Sequence, residues 1–366
     1  RNFFDPYARE WQGGNSRWDL IDIVRTAYAL RPEGIEWPQQ DGRTSLRLEL
    51  LSKANGIDHG HAHEALSDVR ATIALARLIR QKQPKLYDWL FQLRSKHKVM
   101  EQIRLLQPLV HISGRFSAAR NYLGVVLPLA WHPRNRNALI VCDLHQETLP
   151  LLRESAEVLR QRLYTRHDEL AEGELPVPLK LVQINRCPVV APLSVLRPVD
   201  QQRLGLDLTL LQSRGEQLAN QQAQWQEKLE HIYGKDEFAP SEDPEQQLYE
   251  GFIGDRDRRL CEQVRALEPA QLSHGHWMFD DPRLPELLFR YRARNFPETL
   301  TPEERQRWYG FCQQRLSDPQ WGAPNTLGDF EQARQQAWEG ADEAGRRVLE
   351  AWQLHARQLQ EHYSIG

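Results

Sequence analysis

With 366 residues, the chain has room for two or three domains of ordinary size. Its 40% hydrophobic and 27% charged content excludes disorder by composition, and no apolar run approaches the ~20 residues a membrane span needs. The net charge of −3 hides an asymmetry: residues 1–120 hold 19 Lys and Arg against 13 Asp and Glu, a balance of +6, and the remainder carries −9. A basic part joined to an acidic one points to a localised polyanion-binding surface, although an ordinary solvated surface fits the same counts.

The chain begins Arg1-Asn2-Phe3-Phe4-Asp5-Pro6-Tyr7, without Met, and reads like the middle of a fold; a fragment, a processed chain or an incomplete sequence is expected. A helix is predicted over 15–31, with Ser16 and Asp19 as a capping box and Pro32 as its stop. Trp18, Asp22 and Arg25 would then share one face. A second helix is predicted from Ser45 to Ala54, ended by a left-handed cap at Asn55-Gly56. A third runs from Glu64 to Gln81, and its alanines (Ala65, Ala71, Ala74, Ala76) permit close packing. From Leu109 the texture changes to short strands at 108–114, 125–129, 138–143 and 178–184, with a helix near 148–163 between them. This predicts a β-rich domain, a small barrel or sandwich. The remainder is helical: 208–233, a linker at 237–244, a strong start at Thr301-Pro302-Glu303-Glu304, and a packed terminal pair over 329–359. The four cysteines, Cys142, Cys187, Cys261 and Cys312, form no CxxC and are expected to be buried free thiols. With no signal peptide, a cytoplasmic location is the default.

The stretch Asp58-His59-Gly60-His61-Ala62-His63-Glu64-Ala65-Leu66-Ser67-Asp68 carries the chemistry. His63 just before a helix and Asp68 inside it can face one site. A neutral imidazole can take a proton from water, and a carboxylate can hold a hard divalent cation. Phosphodiester hydrolysis needs that division of labour. On these residues alone two other readings stay open: a surface histidine beside a helix-face aspartate, and a zinc or nickel cluster of His59, His61 and His63.

His63 to Asp68, with Val69-Arg70-Ala71-Thr72-Ile73-Ala74 after it, resembles the last motif of the DEDD exonucleases, in the branch whose base is histidine. Asn15-Ser16-Arg17-Trp18-Asp19-Leu20, Tyr28-Ala29-Leu30-Arg31-Pro32-Glu33-Gly34-Ile35 and Lys53-Ala54-Asn55-Gly56-Ile57 resemble bacterial exonuclease I. So do Pro128-Leu129-Ala130-Trp131-His132-Pro133, Asn185-Arg186-Cys187-Pro188-Val189 and Leu287-Leu288-Phe289-Arg290-Tyr291-Arg292-Ala293-Arg294-Asn295-Phe296-Pro297. The resemblance runs from residue 1 to about 310.

It implies an α+β multidomain chain: the C-terminal half of a DEDD (RNase H-like) exonuclease domain (1–83), an SH3-like β-barrel domain (84–235) and a helical C-terminal domain (236–366). It further implies release of 5′-mononucleotides from the 3′ end of single-stranded DNA, two magnesium ions (manganese as a substitute) and a monomer. His63 would be the general base and Asp68 the last of four metal-binding acids. The other three lie in segments that the family places ahead of residue 1, and neither Asp5 nor Asp19 replaces them. A catalytically incomplete module that binds single-stranded DNA or protein is therefore the alternative. Trp11, Arg25 and Arg47 are the candidate DNA contacts. Arg31, Trp89 and Arg197 are the candidates for the acidic C-terminal tail of the single-stranded DNA-binding protein, where carboxylates call for guanidinium groups.

Overall fold

The computed structural model describes residues 3, 10, 12–58, 64–165, 169–170, 174, 176–234, 241–247, 251–275, 277–319 and 325–365. By contacts the chain divides into two units, one of Arg9–Glu237 and one of Phe238–Gly366 with Arg1–Ala8.

In the first unit, helix α1 spans Leu20–Leu30 and is capped by Asp19, whose carboxylate accepts from the Ile21 N–H at 3.1 Å. The expected cap at Ser16 is therefore three residues early. Asp19 caps its own helix instead of reaching back, and Trp18 precedes the helix, so Trp18 does not share a helical face with Asp22 and Arg25. A two-residue hairpin, β1 (Gln39–Gln40) and β2 (Arg43–Thr44), interrupts what read as helices alone. Helix α2 covers Leu48–Ala54 and stops at Gly56 with φ +66°, the left-handed conformation that a side chain resists. Helix α3 covers Ala65–Lys82, and its inward stripe of Ala71, Leu75 and Ile79 is buried. Of the four alanines predicted to pack closely, only Ala71 is buried. Helices α4 (Pro84–Gln92) and α5 (Lys96–Glu101) complete the helical part.

The β-rich part is one antiparallel sheet of β3 (Leu109–Ile112), β4 (Leu123–Trp131), β5 (Ala138–Asp143), β6 (Leu179–Gln183) and β7 (Val189–Pro192), in the order β6-β5-β4-β3-β7. Every residue of β3 and β5 is buried. Strands covered on both faces read as mainly apolar runs, as these do apart from His111 and the terminal Asp143. The expected single helix near 148–163 is two, α6 (Leu149–Arg153) and α7 (Ala156–Tyr164). After α8 (Pro198–Leu204), helix α9 (Leu208–Asn220) and helix α10 (Gln222–Tyr233) follow. At Gly215 a Cβ would stand 3.0 Å from Pro108 Cγ and 3.7 Å from Leu127 Cδ1, so the glycine lets α9 approach the sheet. One apolar core runs from Ile23 and Leu30 through Leu127 and Ile140 to the fully buried Trp225.

In the second unit, α11 (Asp255–Ala266), α12 (Pro269–Leu272) and α13 (Arg283–Asn295) enclose Cys261, Val264, Leu272, Leu284, Leu287 and Leu288, with Phe3 among them. The described part of the expected linker is anchored at its C-terminal end. Asp243 accepts from Arg290 (2.6 Å) and from Arg315 (2.7 Å), and Arg290, only 5% exposed, also bonds Glu245 and Glu286 and lies 4.1 Å over the Phe311 ring. Helix α14 (Pro302–Ser317) opens on the expected capping box, Thr301 Oγ1 accepting from the Glu304 N–H at 3.2 Å and Glu304 Oε2 from the Thr301 N–H at 3.0 Å. Thr301→Ala is expected to cost about 1 kcal/mol in denaturant unfolding. The last helices, α15 (Leu327–Gly340) and α16 (Glu343–His362), do pair, but neither buries a residue fully, and Val348, Trp352 and Leu354 stay exposed. All four cysteines are free; three are buried and Cys312 is half-buried. No helix among the described residues is long and apolar enough to cross a membrane.

Candidate nucleic-acid interface and its carboxylate

Asp68 lies in the first turn of α3, its N–H bonded to the Glu64 carbonyl at 3.0 Å, and it is half-buried. A carboxylate here is favoured by the amide dipoles of the helix start. On the outer side of the same helix, Leu66, Val69 and Ile73 are 55%, 53% and 46% exposed, so the carboxylate is flanked by uncovered apolar side chains. His63, like His59, His61 and the DNA candidate Trp11, lies outside the described residues. Among the described residues no three His, Cys, Asp or Glu side chains cluster to hold a metal. Asp68 thus fits as one ligand, and the described residues do not complete a two-metal site.

Arg25 projects from α1. Its Nη1 donates to Asp22 Oδ1 at 2.7 Å, its guanidinium stands 5.2 Å from the Tyr122 ring centre, and its buried Nε has no partner. Arg47 is exposed at the start of α2, and its side chain forms no ion pair among the described residues. Trp18 is not available for base stacking: it is half-buried against the core, edge-on to Tyr87 (5.4 Å) and Phe91 (5.5 Å).

The structure brings together two of the three partner candidates. Arg31 Nη1 donates to Asp200 Oδ2 at 3.1 Å. Arg197 donates to the same carboxylate through Nε and Nη2, both at 2.8 Å, and to Glu33 Oε1 at 2.7 Å. Both also donate to the Leu30 carbonyl, and Arg203 to the Ala29 carbonyl, so three guanidinium groups cap the end of α1. Asp200 is 1% exposed. Burial alone would raise its carboxyl, but the bonds and charge of Arg197, with Arg31 behind them, hold it below the ordinary carboxylate range. Burial, with Arg197 alongside, lowers the Arg31 guanidinium. Trp89 is half-buried against the core and shares no hydrogen bond with either arginine.

Sequence reasoning did not reach the cluster around His111. His111 is buried in β3, its Nδ1 2.8 Å from the Val189 carbonyl and its Nε2 2.5 Å from Lys180 Nζ. The carbonyl requires N–H at Nδ1, so Nε2 is the acceptor for the lysine. Burial first, and Lys180 second, push the His111 imidazole down to about 3, so it is neutral at neutral pH. The only local sign was a histidine and a lysine standing inside otherwise apolar strands.

Residues 94–235 match the exonuclease I SH3-like domain and residues 242–359 the exonuclease I C-terminal domain. The chain is 49% identical over 312 residues to exodeoxyribonuclease I of Escherichia coli strain K12, covering 84% of this chain. It is 46% identical over 323 residues to that of Haemophilus influenzae, covering 86%. The matches span 65% and 68% of those relatives, so the chain extends over about two thirds of their length. Among solved structures, the zinc-ion-bound form of the E. coli ExoI–ssDNA complex superposes with a TM-score of 0.88 at 44% identity, covering 98% of this chain and 76% of that one.

Proposed function

The chain belongs to the exonuclease I family, and from that membership we propose that it is part of a 3′→5′ exodeoxyribonuclease that degrades single-stranded DNA to 5′-mononucleotides in DNA repair and recombination. The observation that carries this reading is the 49% identity to an exodeoxyribonuclease I across 84% of the chain. The relatives' solved complexes with single-stranded DNA and with a metal ion agree with it. His63 takes the proton of the attacking water, and Asp68 supplies one of four carboxylates. Magnesium, with manganese as a substitute, would stabilise the charge that develops on the phosphate. We keep the division into a nuclease part (1–83), an SH3-like part (84–235) and a helical part (236–366) as the working organisation, in a cytoplasmic monomer.

Arg25, Arg47 and Trp11 are proposed to contact the strand. Arg31 and Arg197, with Trp89, are proposed to receive the acidic tail of the single-stranded DNA-binding protein. Among the described residues, Arg31, Arg197 and Arg203 pair only with Asp200 and Glu33, an excess of positive charge, and carboxylates are the natural complement to it.

The test is digestion of end-labelled single-stranded DNA by the intact protein with magnesium or with chelator, on substrates whose 3′ end is free or blocked. Magnesium-dependent release of mononucleotides from free 3′ ends only is expected. Binding without cleavage would favour the second reading, an incomplete binding module, whose support is that no three His, Cys, Asp or Glu side chains cluster to hold a metal among the described residues.

A further inference from the structure

We propose that the turn after β3, at Gly114-Arg115, together with Arg25, forms a subsite for one backbone phosphate of the single-stranded DNA. The proposal deepens the functional reading above and rests on it. The Arg25 guanidinium lies flat against Gly114, where a Cβ would stand 2.7 Å from its Cζ and Nη2 and 2.8 Å from its Nη1. Gly114 is exposed, and its backbone has no positive φ, so the glycine serves the close approach of the arginine and not the turn itself. Among the described residues only Nη1 of that guanidinium is used, by Asp22; Tyr122 flanks it, and its buried Nε has no partner.

The charges around this notch do not balance. Arg25, Arg115, Arg120 and Lys180 face Asp22 and Asp143. Asp22 is held by Arg25. Asp143 is consumed by Arg120 in a two-pronged pair (2.7 and 3.0 Å), by Gln146 and by the His145 N–H. Arg115 is exposed and forms no ion pair among the described residues. Lys180 lies beneath, bonded to neutral His111 and 4.7 Å over the Phe116 ring. Both nearby histidines are neutral and add no charge, His111 for the reasons given and His145 because burial, then Arg120, pushes it down to about 4. Two unmatched cations and a free guanidinium edge suit one singly charged, oxygen-rich group, which a phosphodiester is.

The experiment measures binding of a fluorescent oligo-dT to the intact protein without metal, from ~50 to ~200 mM salt, for wild type, Arg115→Gln, Gly114→Ala and, as a control for charge alone, the exposed Arg259→Gln. Loss of one phosphate contact lowers the slope of log K against log salt by about 0.7 and weakens binding about fivefold at ~0.1 M salt. That change is expected in Arg115→Gln and in Gly114→Ala, with unaltered circular dichroism and melting, and not in Arg259→Gln. Wild type that binds with slopes unchanged in both notch variants overturns the subsite. Inorganic phosphate that raises the wild-type melting temperature while Arg115→Gln leaves the DNA slope unchanged makes it a free-anion site, and the backbone assignment falls. Wild type that binds no oligonucleotide overturns the functional reading itself.

Discussion

In protein that contains the whole nuclease domain, His63→Ala is expected to lower kcat on single-stranded DNA by about 10²–10⁴-fold, the usual contribution of a positioned general base. Asp68→Asn is expected to lower it at least as far, because it removes a charge while keeping the size and shape of the side chain. The two losses should be distinguishable. Imidazole in the buffer should restore part of the rate to His63→Ala, since it can take the proton that the missing side chain took, and none to Asp68→Asn. Neither variant should lose its fold. Asp68 is half-buried in the first turn of α3, where exchanging a carboxylate for an amide costs roughly 0.3–1 kcal/mol through the helix dipole. Single-turnover rates, metal-free oligonucleotide affinity and melting temperature measured on the same samples decide it. A full rate in His63→Ala would remove it from the role of base. A collapse of melting temperature in Asp68→Asn would make that residue a structural one.

What could be read from the sequence was what depends on neighbours along the chain. The capping box at Thr301 and Glu304 is local, so it was legible, as was the helix stop at Gly56. Four strands announced themselves by short, mainly apolar runs, fully buried in β3 and β5. The start of α1 was misplaced because Ser16 and Asp19 both suit a cap, and only the fold shows that the Ser16 hydroxyl is engaged elsewhere, accepting from Arg94 at 3.2 Å. Strand β7 escaped because it is four residues long, follows Cys187 in a left-handed conformation and ends on Pro192. In the site, Asp68 could be singled out by its spacing from His63, whereas the surroundings of Arg25 could not. Gly114 and Tyr122 reach it from a hairpin some ninety residues away. The same is true of Asp200, 169 residues from Arg31, which carries no sequence mark beyond a place in the first turn of α8.

Asp200→Ala is expected to cost about 1–3 kcal/mol, because it leaves three half-buried guanidinium groups without their shared acceptor, and to lower the melting temperature of the Arg9–Glu237 unit by roughly 5 °C. The size follows from geometry. The carboxylate is 1% exposed, accepts from Arg31, from two nitrogens of the Arg197 side chain and from the Arg197 backbone N–H at 3.0 Å, and lies 3.7 Å from Arg203. Losing one of the arginines should cost less, since the carboxylate keeps the other. The pH dependence has a definite sign. Because the folded carboxyl is held below its unfolded value of about 3.9, its contribution is complete above that value and is lost as pH falls through the folded one. Wild type should therefore lose melting temperature more steeply below about pH 4 than Asp200→Asn, which has no such proton to bind. Parallel melting curves across that range would mean that the three arginines are solvated and that Asp200 contributes no more than an exposed ion pair, about 0–1 kcal/mol. In that case Arg31 and Arg197 would be mobile, not held in place for an acidic partner, and the proposed tail-binding site would lose the rigidity on which its charge complementarity depends.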